Sequence, residues 1–371
     1  MVAVSPVAKA LRPGSVVSRP RLVLLGPGLA NLQAMRSLGA VADLTLISEG
    51  TRHTYSGMLP GVLAGQHSAQ SATIDLQALA TKTGSELFQA GALRVDAAAS
   101  VVELKDGVRV PYDFLSINIG AGLRGDGLPG IREEATLIKP LALAPARLFA
   151  ALPPLVVAGG GLGALELAIV LHWRTGGPTT LVSAGAGGLA SNMVTAAREE
   201  LAAAGVTLRA PARVVAAEPG FAVLDDGTRL PMATLVWAPG PRAPELLAQS
   251  GLGVDDEGYL RVDATLRSLS HSNIFGAGDC VSVEGFPDLP KSGVFSIRAG
   301  PTLVANLGAA LRGEHVVKEF KPPVQPLQLM NLGDGRALGT WKGRVFRGRA
   351  AMHFKEWIDR RWISQYPVTA S

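Results

Sequence analysis

Two glycine-rich segments have the residue types and spacing of turns that bind the pyrophosphate of a dinucleotide. The second of them reads Gly159-x-Gly161-x-x-Ala164. In such a turn the first glycine permits a tight bend, the second lets the backbone approach a pyrophosphate, and the small third residue allows close helix–strand packing. The following helix offers free N–H groups and a partial positive charge. A tight turn without a ligand is the alternative.

The first glycine-rich segment, Gly26-x-Gly28-x-x-Asn31, lacks the small third residue. Asn31 is predicted either to hold the helix further from the strand or to point its amide at the ligand. Glu49 follows the first glycine by about 23 residues, where an acid accepts hydrogen bonds from a ribose. Ser48 competes for that role, and a solvated Glu49 is equally open.

A third constellation ends at a carboxylate. The apolar segment from Asn273 runs into Gly276-Ala277-Gly278-Asp279, which places the Asp279 carboxylate beside a close backbone approach. Seen alone, this pattern is also typical of an ordinary turn at the end of a strand.

The two glycine-rich turns open two similar units, roughly 130 residues apart. Each turn lies between two apolar runs, which predicts a βαβ unit. Each copy later contains a hairpin with an Asp-Gly turn and an apolar strand that stops at glycine. The segments are Leu22–Leu25, Ala42–Ser48, Val101–Val110 and Tyr112–Gly120 in the first copy, and Leu155–Ala158, Thr179–Ser183, Phe221–Leu230 and Leu235–Gly240 in the second.

This repetition predicts an α/β fold with two Rossmann-like three-layer domains, the second inserted in the first. The first domain is predicted to cover 21–145 and 250–322, and the second 146–249. Residues 1–20 lack acidic side chains and are predicted to be a disordered leader. Residues 323–371 form a short C-terminal element with a hairpin (Leu327–Leu332 and Arg336–Trp341) and a helix over about 350–364.

Composition excludes several classes of site. The single cysteine, Cys280, excludes a disulfide framework, a redox-active cysteine pair and a cysteine-rich metal centre. It is predicted to pack as a small apolar side chain. No metal site is expected. No run of 18 apolar residues predicts a transmembrane helix, and the cysteine usage suits a reducing cytoplasm. No motif indicates nucleic-acid binding beyond a basic tail.

The excess positive charge lies in the C-terminal tail. Residues 336–362 hold eight Lys or Arg against two acids, which gives 8 − 2 = +6, whereas the whole chain carries +5. Phe354, Ile358 and Trp362 follow at i, i+4 and i+8. This pattern predicts peripheral contact with an anionic membrane, on its cytoplasmic face. The alternatives are a helix that closes the first domain and a homodimer contact.

The order of these motifs resembles the pyridine nucleotide-disulfide oxidoreductase superfamily, in its type II NADH dehydrogenase-like branch. Three segments are similar to the NADH dehydrogenase-like proteins that are sometimes fused to selenide, water dikinase. They are Tyr55–Gly61 (YSGMLPG), Leu115–Gly120 (LSINIG) and Leu289–Val294 (LPKSGV). The residues after them show no kinase pattern, so the unfused form is expected.

The resemblance implies an FAD site and a site for NADH or NADPH. The residues implied for FAD are Gly26, Gly28, Asn31, Ser48, Glu49, Arg52, Gly120, Gly278 and Asp279. Those implied for the nicotinamide nucleotide are Gly159, Gly161, Gly163, Ala164, Glu166 and Gly240. Glu166, expected in the first turn of its helix, matches an acid that in relatives lies near the nicotinamide, and it is a candidate catalytic residue.

The resemblance also implies how electrons leave the flavin. Tyr55–Gly61 occupies the position where disulfide reductases keep paired cysteines, and it has none. Electrons are therefore predicted to pass directly to a quinone or another small acceptor, or to a protein partner. Lys291, before a helix predicted over about 293–307, is a candidate catalytic charge near the flavin, and a solvated loop lysine is the alternative.

The segment after the strand Thr179–Ser183 departs from the family pattern. It reads Ser183-Ala184-Gly185-Ala186-Gly187-Gly188, without an acid for a ribose 2′-hydroxyl or an arginine for a 2′-phosphate. The choice between NADH and NADPH therefore stays open. A flavin-binding regulatory or interaction protein with a weakened nucleotide site is the alternative from another functional class.

Overall fold

A computed structural model describes residues 19–185 and 187–368. The leader predicted over residues 1–20 therefore lies almost wholly outside the described residues. The helices are α1 Leu29–Leu38, α2 Leu59–Leu63, α3 Leu76–Thr83, α4 Ile131–Glu134, α5 Ala144–Phe149, α6 Leu162–Thr175, α7 Ser191–Ala204, α8 Glu245–Gln249, α9 Gly293–Leu311 and α10 Arg349–Ile363. Single 3₁₀ turns span Ser56–Met58, Gln70–Ala72 and Gly278–Cys280.

The strands fall into two repeated groups and two shorter ones. The first group is β1 Arg21–Leu25, β2 Asp43–Ser48, β3 Arg52–Thr54, β4 Thr73–Asp75, β5 Glu86–Gln89, β6 Ala92–Asp96, β7 Val101–Leu104, β8 Arg109–Pro111, β9 Phe114–Ile117 and β10 Gly122–Leu123. The second is β11 Ala135–Leu137, β12 Leu155–Ala158, β13 Thr179–Val182, β14 Thr207–Arg209, β15 Val214–Glu218, β16 Phe221–Leu224, β17 Arg229–Pro231, β18 Thr234–Trp237 and β19 Pro241–Arg242. The shorter groups are β20 Leu260–Val262, β21 Ile274–Gly276 and β22 Val281–Val283, and β23 Gln328–Asn331, β24 Ala337–Trp341 and β25 Arg344–Gly348.

The first parallel sheet has the strand order β21–β9–β1–β2–β5. Its central strand β1 buries Leu22 and Leu24 completely, as expected for a parallel strand that is covered on both faces. Helices α1 and α9 pack against each other within this core, and the antiparallel sheet β6–β7–β8 adds a further layer. Strand β21 completes the sheet only after the chain has built the second one.

The second parallel sheet has the order β11–β18–β12–β13–β14. Successive side chains of β12 enter different cores, because neighbours on a strand point to opposite faces. Val157 packs with the residues of α6 and α7, whereas Val156 packs with those of the antiparallel sheet β15–β16–β17. The Rossmann-like fold with an inserted second unit is thus confirmed. The predicted boundary after residue 145 is corrected here, because β11 (Ala135–Leu137) already pairs with β18 in the second sheet; the other domain boundaries stay a prediction.

The C-terminal element joins the two units. The predicted hairpin is present as β23 and β24, the predicted helix as α10, and a third strand, β25, pairs with β24. Met330, Leu332 and Leu338 pack into the core of the second unit, whereas Trp362 and Tyr366 pack into that of the first. The closing helix, one of the alternatives for this tail, is therefore what the structure shows.

Helix α9 is the one helix in the described part of the chain that is long and apolar enough to cross a membrane. More than half of it, 56%, is buried inside the protein. It packs against α1 through residues such as Phe295, Leu303 and Leu307 in the main core. Burial of this extent is that of a core helix.

Candidate active site

The first glycine-rich turn is held in shape by contacts within the protein. Gly26 has φ +88°, a left-handed conformation that suits glycine, and its N–H donates to the Ile47 carbonyl at 2.9 Å. A Cβ at Gly28 would lie 2.2 Å from Oδ1 of Asn118 and 2.4 Å from its carbonyl oxygen. Gly28 is therefore required for the backbone to pass Asn118.

Asn118 joins three parts of the first sheet. Its Oδ1 accepts hydrogen bonds from the N–H groups of Ala30 at 3.0 Å and Asn31 at 3.3 Å. Its Nδ2 donates to the Ala277 carbonyl at 2.6 Å. The side chain thus connects the start of α1, the end of β9 and the end of β21. Sequence reasoning did not single out Asn118, although a buried amide after the apolar strand ending at Ile117 was the available signal.

The structure corrects the expectation that the Asn31 amide points at a ligand. Asn31 is fully buried. Its Nδ2 donates to Gly26 O at 2.9 Å, with Leu25 O and Ser116 O at 3.2 Å, and its Oδ1 accepts from the Ser116 hydroxyl at 2.7 Å. All four contacts lie inside the protein. Asn31 therefore fixes the turn rather than facing the cleft.

The residues predicted at the ribose end lie at the carboxyl end of β2. The Ser48 hydroxyl donates to Gly50 O at 2.8 Å and accepts from Gly50 N at 3.4 Å, so it is used within its own loop. Glu49 is exposed and pairs with Lys105 at 3.0 Å. Arg52 is exposed at the start of β3. Glu49 is thus the better placed of the two ribose candidates.

The Gly-x-Gly-Asp segment lies beside Asn118. Gly278 has φ +75°, and a Cβ there would lie 2.4 Å from Asn118 Nδ2. The next residue, Asp279, has its Oδ2 3.8 Å from Nζ of Lys139. Burial raises the pKa of Asp279, and the positive charges of Lys139 and Lys291 act against that rise. Cys280 is fully buried, and burial raises its thiol pKa to about 12, which agrees with the predicted packing role.

Lys291 is held by the protein. Its Nζ donates to the Val281 carbonyl at 2.5 Å and lies 4.4 Å from the centre of the Tyr259 ring. Burial lowers the pKa of this lysine. The alternative of a solvated loop lysine is therefore wrong, and the ammonium is already engaged by a carbonyl and an aromatic ring.

Three elements meet at the N-terminus of α9. A Cβ at Gly293, the first residue of α9, would lie 3.4 Å from the Ser56 hydroxyl and 3.5 Å from Leu29 Cδ1. The N-termini of α1 and α9 and the segment Tyr55–Gly61 therefore converge. In the described chain no side chain caps the first residues of α9. Its N–H groups are directed at this convergence, where they favour negative charge.

The second glycine-rich turn has two positions that are open among the described residues. A Cβ at Gly159 would lie 2.2 Å from Ala238 O, so this glycine serves the fold. By contrast, no described atom lies within 4 Å of a Cβ built at Gly161 or Gly163, and among the described residues no side chain caps α6. Ala164 packs against Gly159, as predicted for the third small position. The N–H groups at the uncapped start of α6 fit a pyrophosphate.

The loop after β13 lies directly on this turn. A Cβ at Gly160 would lie 2.1 Å from Gly185 O, and one at Gly187 would lie 2.6 Å from the Gly160 carbonyl. The Ser183 hydroxyl donates to Gly185 O at 2.7 Å. Glycine is therefore needed on both sides of the contact. Residue 186 lies outside the described residues.

Gly120 and Gly240 lie where the chain crosses between the units. Gly120 and Gly240 follow the ends of the equivalent strands β9 and β18, and no described atom lies within 4 Å of a Cβ built at either. The short strands that follow, β10 and β19, pair with each other, with Gly122 opposite Arg242. Both glycines therefore lie beside the crossing between the two units, and their predicted place next to the two cofactors stays a prediction.

Glu166 is the fifth residue of α6, which places it beyond the first turn where it was expected. It is buried, and its Oε1 accepts the N–H of Asn331 at 2.6 Å. Burial raises the pKa of this carboxyl to about 7, while the charge of Lys355 and the hydrogen bond from Asn331 act to lower it. Glu166 thus links helix α6 of the second unit to strand β23 of the C-terminal element.

Helix α10 holds the cysteine-free segment in place. Lys355 and Asp359 form a buried ion pair at 2.8 Å, and Lys355 Nζ also donates to Gly57 O at 2.6 Å. The Tyr55 hydroxyl donates to Asp359 Oδ1 at 3.1 Å, and its ring stacks on Trp362 at 4.5 Å. Sequence reasoning missed Lys355 and Asp359, whose i, i+4 spacing was the available signal.

The apolar stripe predicted on this helix is corrected. Trp362 faces the core and is only 8% exposed, so Phe354, Ile358 and Trp362 do not form one outward stripe. The exposed aromatic pair is Phe354 and Trp357, whose ring centroids are 6.1 Å apart. Arg361 lies over the Trp357 ring. A smaller aromatic and basic surface thus remains on the outer side of α10.

The sequence model of the family described as pyridine nucleotide-disulphide oxidoreductase matches residues 20–305. The chain belongs to this family. It is 28% identical to an NADH dehydrogenase-like protein of Mycobacterium tuberculosis (strain CDC 1551 / Oshkosh), over 94% of each chain. It is 25% identical to a type II NADH:quinone oxidoreductase of Staphylococcus saprophyticus, over 93% of this chain and 95% of the relative.

A solved structure shows the same fold. The NDH2 of Plasmodium falciparum in complex with NADH superposes with a TM-score of 0.79 at 13% identity, over 94% of this chain and 97% of the other. By the family match over residues 20–305, the chain is an oxidoreductase of this superfamily, and its relatives include NADH dehydrogenase-like proteins, as the motif order predicted. The roles of individual site residues stay predictions.

Proposed function

We propose that this oxidoreductase uses bound FAD to oxidise NADH or NADPH and passes the electrons to a quinone. The observation that carries the proposal is the segment Tyr55–Gly61, which lies where α1 and α9 converge and contains no cysteine. The chain's single thiol, Cys280, is fully buried with a raised pKa. A dithiol relay is therefore excluded, and electrons must leave the flavin directly. The relatives named as NADH:quinone oxidoreductases support a quinone as the acceptor.

The residues of the first unit fit FAD. The turn at Gly26 and Gly28 would receive the pyrophosphate, Glu49 the adenosine ribose, and Asp279 the ribityl hydroxyls. The uncapped start of α9 would place its N–H groups where negative charge develops on reduction. When bound, FAD supplies a ring that accepts a hydride and can release the electrons singly or in pairs.

The residues of the second unit fit a dinucleotide at its pyrophosphate. The free N–H groups at the start of α6 and the open sides of Gly161 and Gly163 would orient it. Because Gly120 and Gly240 border the cleft between the sheets without side chains, two flat rings can approach there. Hydride transfer depends mainly on such positioning.

Glu166 would hold a proton close to the cleft. Quinone reduction consumes two protons, and a group with a pKa of about 7 is partly protonated at neutral pH. The N–H of Asn331 fixes Oε1 of Glu166, which leaves Oε2 as the atom that can carry the proton. Glu166 therefore couples the C-terminal element to the chemistry of the acceptor.

The test is an anaerobic titration of the purified yellow protein with NADH and with NADPH, followed in the flavin absorption band. We expect the band to bleach and then to recover on addition of a water-soluble quinone, but not of a disulfide substrate. A flavin that stays oxidised with both nucleotides contradicts the proposal. Recovery only with a protein acceptor would favour the reductase of a protein partner instead.

One observation favours a second candidate, a flavin-binding regulatory protein with weak nucleotide affinity. Gly185 and Gly187 lie against Gly160, and the sequence from Ser183 to Gly188 offers no acid to a ribose. In that case the protein would hold FAD but would bind neither nucleotide at millimolar concentration. The same titration separates the two candidates.

We further propose that the outer side of α10 contacts an anionic membrane, where lipid-soluble quinones reside. The exposed pair Phe354 and Trp357 lies among the basic residues Arg360 and Arg361. Binding to vesicles that contain anionic lipid should fall on Trp357→Ser. The matched control is Trp173→Ser, which removes an exposed tryptophan of α6. A molecular mass that rises with protein concentration, together with no binding to vesicles, would instead indicate a homodimer through this face.

A further inference from the structure

Two lysines approach the Asp279 carboxylate from different units. Lys291 belongs to the loop before α9, within the first unit, and its ammonium is engaged by Val281 O and the Tyr259 ring. Lys139 comes from the second unit, directly after β11 and Ile138, and its Nζ lies 3.8 Å from Asp279 Oδ2. Among the described residues, Asp279 is the one carboxylate within 4 Å of Lys139.

The topology explains why these two side chains meet. Strand β11 is an edge strand of the second sheet, and the N–H of Ile138, just after it, still donates to Trp237 O. Strand β21 is an edge strand of the first sheet, and Asp279 follows its carboxyl end. Ligands of such sheets bind outside the carboxyl ends of the strands. The pair therefore bridges the two ligand-binding edges.

The environment of the pair is partly closed to water. The side chains of Lys139 and Asp279 are 25% and 21% exposed. Burial lowers the pKa of Lys139 and raises that of Asp279, and each group's charge acts against the shift of the other. Removal of either charge would therefore destabilise the charged form of its partner.

We infer that Lys139 is a positioning residue of the flavin site, which holds the Asp279 carboxylate ionised and directed toward the polyol and diphosphate of FAD. The inference rests on the proposed use of FAD, and it assigns Lys139 a role through Asp279 rather than in the reaction. Because Lys139 belongs to the second unit, the same contact fixes that unit against the flavin edge of the first.

The experiment measures FAD binding to apoprotein by quenching of flavin fluorescence, without any nicotinamide nucleotide. We expect Lys139→Met to raise the Kd for FAD by about tenfold, and Lys139→Arg to restore it to within about threefold. Lys139→Gln is a second neutral variant in case Lys139→Met folds poorly. Lys82→Met, at an exposed lysine of α3, is the matched control and should leave the Kd unchanged.

A double-mutant cycle tests whether Lys139 acts through Asp279. In the Asp279→Asn background, Lys139→Met should change the Kd for FAD by less than about twofold, since the charge it stabilises is absent. In the protein that keeps Asp279, the rise in the FAD Kd caused by Lys139→Met should be larger at neutral pH than at alkaline pH. The reason is that a buried Asp279 carboxyl without Lys139 gains a proton more readily. A tenfold loss in both backgrounds, or no loss in either, overturns the inference.

The outcome is distinguishable from failure of the proposed function. A wild-type protein that binds FAD but is not reduced by NADH or NADPH contradicts the proposed function and leaves the Lys139 measurement intact. A wild-type apoprotein that does not bind FAD contradicts both. Intact reduction of the wild type, together with an unchanged FAD Kd in Lys139→Met and Lys139→Gln, contradicts the Lys139 inference alone.

Discussion

The two glycine-rich turns share their spacing but differ in what surrounds them. At the first turn, the Asn118 side chain accepts the N–H groups of Ala30 and Asn31, and a Cβ at Gly28 would strike Asn118. At the second turn, a Cβ at Gly161 would meet no described atom within 4 Å. Gly28 of the first turn is required by the protein, whereas Gly161 of the second turn leaves space for a ligand among the described residues.

The ribose ends repeat the same contrast. Ser48 donates to Gly50 O at 2.8 Å, and Ser183 donates to Gly185 O at 2.7 Å, so both loops use one local geometry. The residue after each serine differs: Glu49 carries a carboxylate, whereas Ala184 carries none. The two copies therefore keep the same backbone but offer different chemistry to a ribose.

This difference matches the needs of a resident cofactor and an exchanging substrate. A buried amide network, once fully satisfied, fixes one backbone conformation and is costly to disturb. Such rigidity suits FAD, which is expected to stay bound through many cycles. An open helix N-terminus binds a pyrophosphate with little rearrangement and releases it again, which suits NADH or NADPH.

The largest effect is expected for Gly28→Ala. The methyl group would lie 2.2 Å from Asn118 Oδ1 and 2.4 Å from its carbonyl oxygen, so the turn must shift and its hydrogen bonds must lengthen. We expect a loss of about 3 kcal/mol or more in the free energy of unfolding. The variant should purify without flavin, as its visible absorption spectrum will show. A yellow variant of wild-type stability would remove the contrast between the turns.

Sequence reasoning located both turns because their glycines follow apolar strands and precede helices. The same logic placed Asp279, and the order of motifs indicated the inserted unit. These features are local or periodic, and the fold repeats them. Strand β25 was missed, because Arg344–Gly348 (RVFRG) is only five residues long and does not alternate strictly between apolar and polar side chains.

Contacts between distant segments could not be read from the sequence in the same way. Asn31 was expected to face a ligand, because its partner Ser116 lies 85 residues away. Lys139 and Asp279 meet only because two sheet edges come together. Trp362 points inward because Tyr55, more than 300 residues earlier in the chain, stacks on it. Periodicity shows which residues share a face, but not what that face meets.

A pH-dependent difference is expected at the equivalent fifth position of each helix, Glu166 in α6 and Gln33 in α1. The pKa of Glu166 is about 7 in the folded chain, above its ordinary value of 4.5. Protonated Glu166 therefore contributes fully to the free energy of unfolding below pH 4.5, and this contribution is lost as the pH rises through 7. Glu166→Gln should gain stability relative to wild type between pH 5 and pH 8, by up to about 3 kcal/mol.

Denaturant unfolding at pH 5 and pH 8 measures this difference. The reciprocal variant Gln33→Glu is the matched control, since the Gln33 amide donates to Ile297 O at 3.0 Å and a carboxylate there would have to be protonated. It should lose more stability at pH 8 than at pH 5. A Glu166→Gln variant with the same stability difference at both pH values would show that the Glu166 carboxyl titrates normally.

The counterpart of Gly28→Ala on the open turn is Gly161→Ala. Gly161 has φ −83° and ψ 171°, an extended conformation that alanine adopts, and its Cβ would meet no described atom. The melting temperature and FAD content should therefore match wild type, while the methyl group blocks the approach of a pyrophosphate. We expect the Kd for NADH to rise by at least about tenfold, measured by anaerobic flavin reduction. A variant with wild-type affinity would place the pyrophosphate elsewhere.

The smallest effect is expected at the ribose end of the second turn. Because Ala184 leaves the 2′-position of the ribose without a carboxylate, NADH and NADPH should differ by less than about tenfold in kcat/KM. Arg209 adds no strong preference for the 2′-phosphate, since it lies on the neighbouring strand β14 and near the acid Asp226.

Ala184→Glu would give the loop after β13 the acid that Glu49 gives the loop after β2. We expect it to disfavour NADPH by about tenfold through charge repulsion while NADH is retained. Steady-state assays with both nucleotides measure the ratio, and Ala184→Gln, which has the same shape without the charge, should leave it near the wild-type value. If both variants shift the ratio equally, the loop selects nucleotides by size, and the contrast between Glu49 and Ala184 is not electrostatic.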